Sequence, residues 1–142
     1  MAEVRMSREL PHPVAHVWEV VSDLSRLGEW LTLHEGWRSE VPEQLDVGVE
    51  LTGIVKAKGV RNKITWLVQE FDPASSMALS GKGIGGTSVA MSVRLKPKGS
   101  MSTVDFRAEF AHPALKGPLG TLAARTVKAD LESSLARLTT LL

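Results

Sequence analysis

Residues 13–37 read PVAHVWEVVSDLSRLGEWLTLHEGW, and this stretch carries three of the chain's four tryptophans. Val14, Val17, Trp18 and Val21 recur at three- and four-residue spacing, which predicts a helix with one apolar face and with His16 and Glu19 left in water. Asp23 breaks that pattern. Its carboxylate can accept the free backbone N–H groups at the start of a second helix, whose apolar row is Leu24, Leu27 and Leu31. Two helices this short cannot bury three indoles between themselves, so they require a larger apolar partner.

Strands supply it. Ahead of the helical pair, Val4, Met6 and Leu10 alternate with charged or small residues until Pro11 and Pro13 stop the run, which predicts a first strand near a sheet edge. Behind it, residues 36–111 hold no long helical pattern and are punctuated at Pro42, Gly48, Gly59, Asp72-Pro73, Gly85-Gly86 and Gly99. The runs between those marks are VELTGIVKAK, NKITWLVQEF, SMALSGK, TSVAMSVRLK and STVDFRAEF. In each, one side of the alternation is apolar and the other polar, as in an antiparallel meander covered on one face. Ile64, Trp66 and Val68 share one parity, and Val104, Phe106, Ala108 and Phe110 share another, so both sets are expected to face inward.

After Pro113 comes LKGPLGTLAARTVKADLESSLARLTTLL, the longest helical pattern in the chain. Leu119, Leu122, Ala123, Val127, Leu131, Leu135, Leu138 and Leu142 fall on one stripe, and Pro118 suits the first turn, where its missing N–H costs nothing. The element order is strand, two short helices, about six strands and one long helix, an α+β arrangement in which the sheet curves round the last helix. A cavity between the concave face and that helix follows from the geometry, with the short helices plugging one end.

The totals narrow the classes of function. With 142 residues and 43% hydrophobic content, the chain suits one domain over residues 1–142 with a substantial core. Seventeen basic against sixteen acidic residues leave a net charge of +1, which gives no electrostatic basis for nucleic acid or an anionic membrane as the main partner. The absence of cysteine excludes disulfides and thiolate metal sites. The opening MAEVRMSREL lacks the apolar run of a signal peptide, and no segment approaches the roughly 20 apolar residues that span a bilayer, so a cytoplasmic, soluble protein is expected.

Pro13, Val17-Trp18, Asp23 and Trp30, in this order and ahead of the meander and terminal amphipathic helix, resemble the START/Bet v 1-like helix-grip superfamily, often called SRPBCC. Within it they are most similar to the polyketide cyclase/dehydrase-like group. The likeness extends over the whole chain and implies a helix-grip fold, with a curved antiparallel sheet of about seven strands around the long C-terminal helix. It also implies an internal cavity for hydrophobic ligands such as lipids, sterols, quinones or polyketides. DLSRLGEWLTLHEGWRS, residues 23–39, is similar to an actinobacterial branch in which some members are described as toxins of toxin–antitoxin pairs.

The chain's own residues offer these candidates. Trp30, Trp37, Trp66, Phe71, Met77, Met91, Phe106, Phe110, Leu119 and Leu122 can line a cavity, because aromatic, thioether and aliphatic groups give large adaptable contact. Core filling is the plainer reading for each. Trp18 is read as structural, whereas Trp30 and Trp37 are placed nearer the cavity rim. His34 and Glu35 follow the second helix, where an imidazole beside a carboxylate can move a proton. Neighbours on extended chain point to opposite sides, however, so this pair is also read as a surface feature.

Other polar candidates for orienting a ligand are Thr52, Thr65, Ser80, Arg94 and Arg107, with His34 and Arg107 the candidate catalytic groups. His12 and His16 have a metal-compatible spacing, but His12 precedes Pro13 and leaves helical conformation, so no metal is expected. His112 also precedes a proline. The segment GKGIGG, residues 81–86, lacks the lysine-serine/threonine ending of a phosphate loop and is read as a hairpin turn. Lys56, Lys58, Arg61 and Lys63 around Gly59 form a basic hairpin tip, either solvated or a contact for an acidic partner protein or an anionic ligand head group. No nucleophile elbow, H-E-x-x-H or dinucleotide glycine pattern is present, and no cofactor is expected.

Three functions remain open from sequence: a carrier or sequestering protein for a hydrophobic small molecule, a polyketide aromatase/cyclase, and a toxin-like or regulatory protein acting on a protein partner through its surface. Oligomeric state is not legible.

Overall fold

Alternation in the first strand, β1 (Ala2–Leu10), ends where Pro11 removes a backbone donor, and Pro13 then opens α1 (Val14–Val21). The computed structural model describes residues 2–57, 60–113 and 117–142. Asp23 accepts a hydrogen bond from the Ser25 backbone N–H at 3.2 Å. The segment it caps is tighter than a regular second helix: a 3₁₀ turn over Leu24–Arg26 leads into α2 (Leu27–Trp30), a single α turn. Its row Leu24, Leu27 and Leu31 is buried nonetheless.

The remaining strands are β2 (His34–Trp37), β3 (Glu50–Ala57), β4 (Val60–Asp72), β5 (Ser76–Lys82), β6 (Ser88–Lys98) and β7 (Met101–Ala111), followed by α3 (Pro118–Leu141). They form one seven-stranded sheet in the order β1-β7-β6-β5-β4-β3-β2, antiparallel at every junction. β1 and β2 are its two edges. Gly81 and Lys82 of GKGIGG end β5, and only Gly83–Gly86 belong to the β5–β6 turn, with a short 3₁₀ segment at Ile84–Gly86. No helix among the described residues is long and apolar enough to cross a membrane.

Register explains the core. Val4, Ala108, Met91, Leu79 and Val68 stand side by side across five strands, and Met6, Phe106, Val93 and Met77 make the neighbouring row. All sit on the covered face, as the period-2 pattern predicts. Val17, Val20 and Val21 of α1 are buried with them, while His16 and Glu19 stay exposed. Trp18 is half-buried and rests on Phe71, with ring centroids 5.6 Å apart.

The expected apolar stripe of α3 is present, but its two halves have different surroundings. Leu131, Leu135 and Leu138 are 1%, 3% and 0% exposed, whereas Leu119 and Leu122 are 58% and 52% exposed. At the changeover, the Ser134 hydroxyl accepts from the Thr32 backbone N–H at 2.9 Å and donates to the Asp130 carbonyl at 2.8 Å. The Thr32 hydroxyl also donates to the Asp130 carbonyl, at 3.1 Å. The chain leaving α2 is thereby fastened to the middle of α3.

Candidate functional site

Beyond that fastening, the stripe of α3 runs off the packed core and forms one wall of a cavity of about 450 Å³. Ala123, Thr126, Val127 and Leu131 face it from the helix, with Leu119 and Leu122 at the exposed end. Trp66, Val55, Val89, Met91, Ala108 and Phe110 contribute the sheet side, and Leu27, Leu31 and Leu33 close the end nearest α2. Helix periodicity accounts for the helical wall, since residues 119, 122, 123, 126 and 127 share a face.

His34 is an ionisable side chain in this apolar wall, and it is 7% exposed. Its position depends on a bulge. His34 pairs with Val55 and Gly36 with Ile54, so Glu35 is an extra residue in β2. Without it, His34 and Trp37, three positions apart, would face opposite sides of the sheet. With it, both rings lie on the covered side, their centroids 4.5 Å apart. Glu35 turns outward and pairs with Arg61 at 2.7 Å. His34 and Glu35 are therefore on opposite sides and do not act as a pair.

Burial, with no compensating charge, lowers the His34 pKa from 6.5 to about 4, so the imidazole is neutral near pH 7. Among the described residues neither ring nitrogen has a hydrogen-bond partner in the protein. Glu109 also borders the cavity, but its carboxylate accepts from Arg107 on the outer side of the sheet. The Thr126 hydroxyl donates back to the Leu122 carbonyl at 3.1 Å.

Trp66 is seated by a glycine. It stands opposite Gly81 across β4 and β5, and a Cβ at Gly81 would come within 2.8 Å of the indole and 2.5 Å of Ile64. The missing side chain is the slot into which the indole lies. Trp37 uses Gly53 in the same way, 2.9 Å from ring to hypothetical Cβ, and donates its indole N–H to the Leu24 carbonyl at 2.7 Å.

Of the ten apolar candidates, the cavity wall brings together Trp66, Met91, Phe110, Leu119 and Leu122. Trp30, Met77 and Phe106 surround a separate void of about 20 Å³ deeper in the core, where Trp30 meets Phe106 edge-on at 6.1 Å. Among the described residues, the Trp30 indole N–H is buried there without a partner. Trp30, at 2% exposure, is a core residue in position rather than a rim residue. Phe71 borders a different surface cleft with Val41 and Leu45, and Trp37 packs between His34 and the helical turn without lining the cavity.

Arg107, the other candidate catalytic group, is on the outer face, where it donates to Glu3 and Glu109, and these carboxylates raise its pKa further. Arg94 faces Glu70 at 3.8 Å, also outside. Thr52, Thr65 and Ser80 alternate with buried neighbours and share that outer face. The His12 and His16 rings are 4.8 Å apart, and among the described residues no group of three or more metal-binding side chains gathers. Lys58 and Gly59 of the basic tip lie outside the described residues, while Arg61 is engaged with Glu35. Val55, Ala123, Thr126, Val127 and Leu131 are wall residues outside the candidate set, although the helical stripe already places Ala123, Val127 and Leu131 beside Leu119 and Leu122.

The sequence profile of the family described as polyketide cyclase/dehydrase and lipid transport matches residues 1–142. The chain belongs to this family. Among its relatives is the uncharacterized protein Rv1546 of Mycobacterium tuberculosis, 46% identical over 135 residues that cover 95% of this chain and 94% of that one. Another, named toxin Rv0910, from the same organism, is 38% identical over 140 residues, covering 99% and 97%. The crystal structure of TTHA0849 from Thermus thermophilus superposes with a TM-score of 0.79 at 21% identity, over 97% and 94% of the two chains, and shows the same fold.

Proposed function

We propose that this member of the polyketide cyclase/dehydrase and lipid transport family binds a small hydrophobic molecule in the cavity under α3 and carries or sequesters it. The observation that carries this reading is a space of about 450 Å³ whose wall, among the described residues, is apolar apart from His34, Thr126 and Glu109, the last with its carboxylate engaged by Arg107. That volume is within the range of about 300–1,000 Å³ typical of small-molecule sites. Affinity then comes from apolar area removed from water, at roughly 25 cal/mol per Å² before association costs. Native mass spectrometry of the gently purified protein, followed by a Nile red titration of the extracted chain, tests it. The expected result is one co-purifying, organic-extractable molecule per chain, or saturable one-to-one quenching of indole emission with Trp66 in the wall. Absence of both overturns the reading.

Two observations support other uses. His34 in the wall, together with the family's description, supports cyclisation of a poly-β-ketone: a neutral imidazole takes a proton from an activated methylene, that carbon attacks a ketone carbon of the same chain, and the imidazolium returns the proton to the alkoxide so formed; a second proton taken from the same carbon and given to the leaving hydroxyl then releases water. A product profile unchanged by His34→Leu would end that version. The toxin-named relative supports a surface-borne role, read out as growth arrest on induced expression that a neighbouring gene's product relieves; growth unaffected by the protein would end it.

A further inference from the structure

The cavity wall has one feature that general apolar binding leaves unused. His34 is more than nine-tenths buried, its ring is held by Trp37 at 4.5 Å, and neither ring nitrogen is bonded to the protein among the described residues. A neutral imidazole offers one donor and one acceptor. Leaving both idle against an apolar ligand costs free energy, because the ligand displaces the water that otherwise satisfies them. The wall also lacks an available cation among the described residues. A carboxylate drawn into this space would lose hydration without gaining a charged partner, whereas a hydroxyl loses less and recovers a hydrogen bond.

We propose that His34 reads a hydroxyl: the ligand has an apolar body and one uncharged hydroxyl or enol that bonds the buried imidazole, and carboxylates are discriminated against. This rests on the ligand-cavity reading above. Trp37 and the Glu35 bulge hold the imidazole in place, so His34 selects among apolar ligands by their single polar group. Shape and area set how tightly the body binds; the imidazole sets which head is accepted.

Three matched probes test it at pH 8: 1-butylpyrene, 4-(1-pyrenyl)butan-1-ol and 4-(1-pyrenyl)butanoate, titrated into the wild type and His34→Leu by indole quenching. The alcohol is intrinsically more soluble in water than the hydrocarbon, so the quantity read is the alcohol-to-hydrocarbon affinity ratio in each protein. The expected result is that His34→Leu lowers this ratio about tenfold, with hydrocarbon binding unchanged or tighter. In the wild type the acid is expected to bind about tenfold or more weakly than the alcohol. A ratio that His34→Leu leaves unaltered, or an acid that binds the wild type more tightly than the alcohol, overturns the proposal. If butylpyrene itself fails to bind the wild type, the cavity reading falls first, and the two failures are told apart. Should the variant not fold, ¹⁵N shifts of the His34 ring nitrogens in the wild type decide. They are expected to move to hydrogen-bonded values with the alcohol and not with butylpyrene; no difference between the two probes overturns the proposal.

Discussion

One apolar stripe along α3 is used in two ways. Toward the C-terminus, Leu135 and Leu138 are sealed against the core, Leu131 is buried where the packed core meets the cavity, and Ser134 ties the helix to Thr32. Toward the N-terminus, Leu119 and Leu122 stand more than half exposed, and Ala123 and Val127 face open space. Hydrophobicity alone does not distinguish the halves, since both carry leucines at three- or four-residue spacing. The difference lies in what stands opposite: close-packed side chains below, and a concave stretch of sheet with Trp66 recessed over Gly81 above. One half serves stability and the other is free to serve a ligand.

Truncation gives the largest expected contrast between them. Leu138→Ala should cost about 2–5 kcal/mol in urea unfolding, because a fully buried side chain leaves a cavity behind. Leu122→Ala should stay within about 0.5 kcal/mol, as for an exposed position. Equal losses would erase the distinction.

Acid should weaken the upper half through His34. Its folded pKa of about 4 lies below the unfolded value of 6.5, so the unfolded chain holds more protons between those values. The resulting stability is complete above about pH 6.5 and is lost as pH falls toward 4, by at most roughly 3 kcal/mol. The urea midpoint of the wild type should fall relative to that of His34→Leu as pH drops from 7 to 4; a constant difference would contradict the burial of His34.

Smaller still is the effect of loosening the boundary between the halves. Ser134→Ala strips the Thr32 backbone N–H of its acceptor and should cost about 1–3 kcal/mol. Filling the upper half should cost least in stability. Ala123→Trp is expected to abolish Nile red binding while shifting the urea midpoint little, since the indole occupies space already present. A variant that still binds the dye at full affinity would place the dye elsewhere.

Much of the fold was legible because its elements obey simple periods. Alternation identified the inner faces of β4 and β7, Asp23 marked a cap, and the α3 stripe announced a helix that needs a sheet. His34 was visible as a candidate, but its orientation was not. The extra residue at Glu35 breaks the two-residue period that places Trp37, and a bulge leaves no mark in composition. The seat of Trp66 depends on Gly81 of a neighbouring strand, so it belongs to register rather than to either segment alone. Trp30 read as a rim residue because it ends the helical segment, yet α2 turns it inward onto Phe106. Nor does a stripe of leucines disclose where its partner surface curves away.

Methyl NMR with 1-butylpyrene tests the division of α3 most directly. Saturable shifts are predicted at Val55, Leu122, Val127 and Leu131, with Leu10, Val104 and Leu138 holding still. Shifts centred on Leu138, or none that saturate at the cavity wall, would contradict a ligand site under the N-terminal half of the helix.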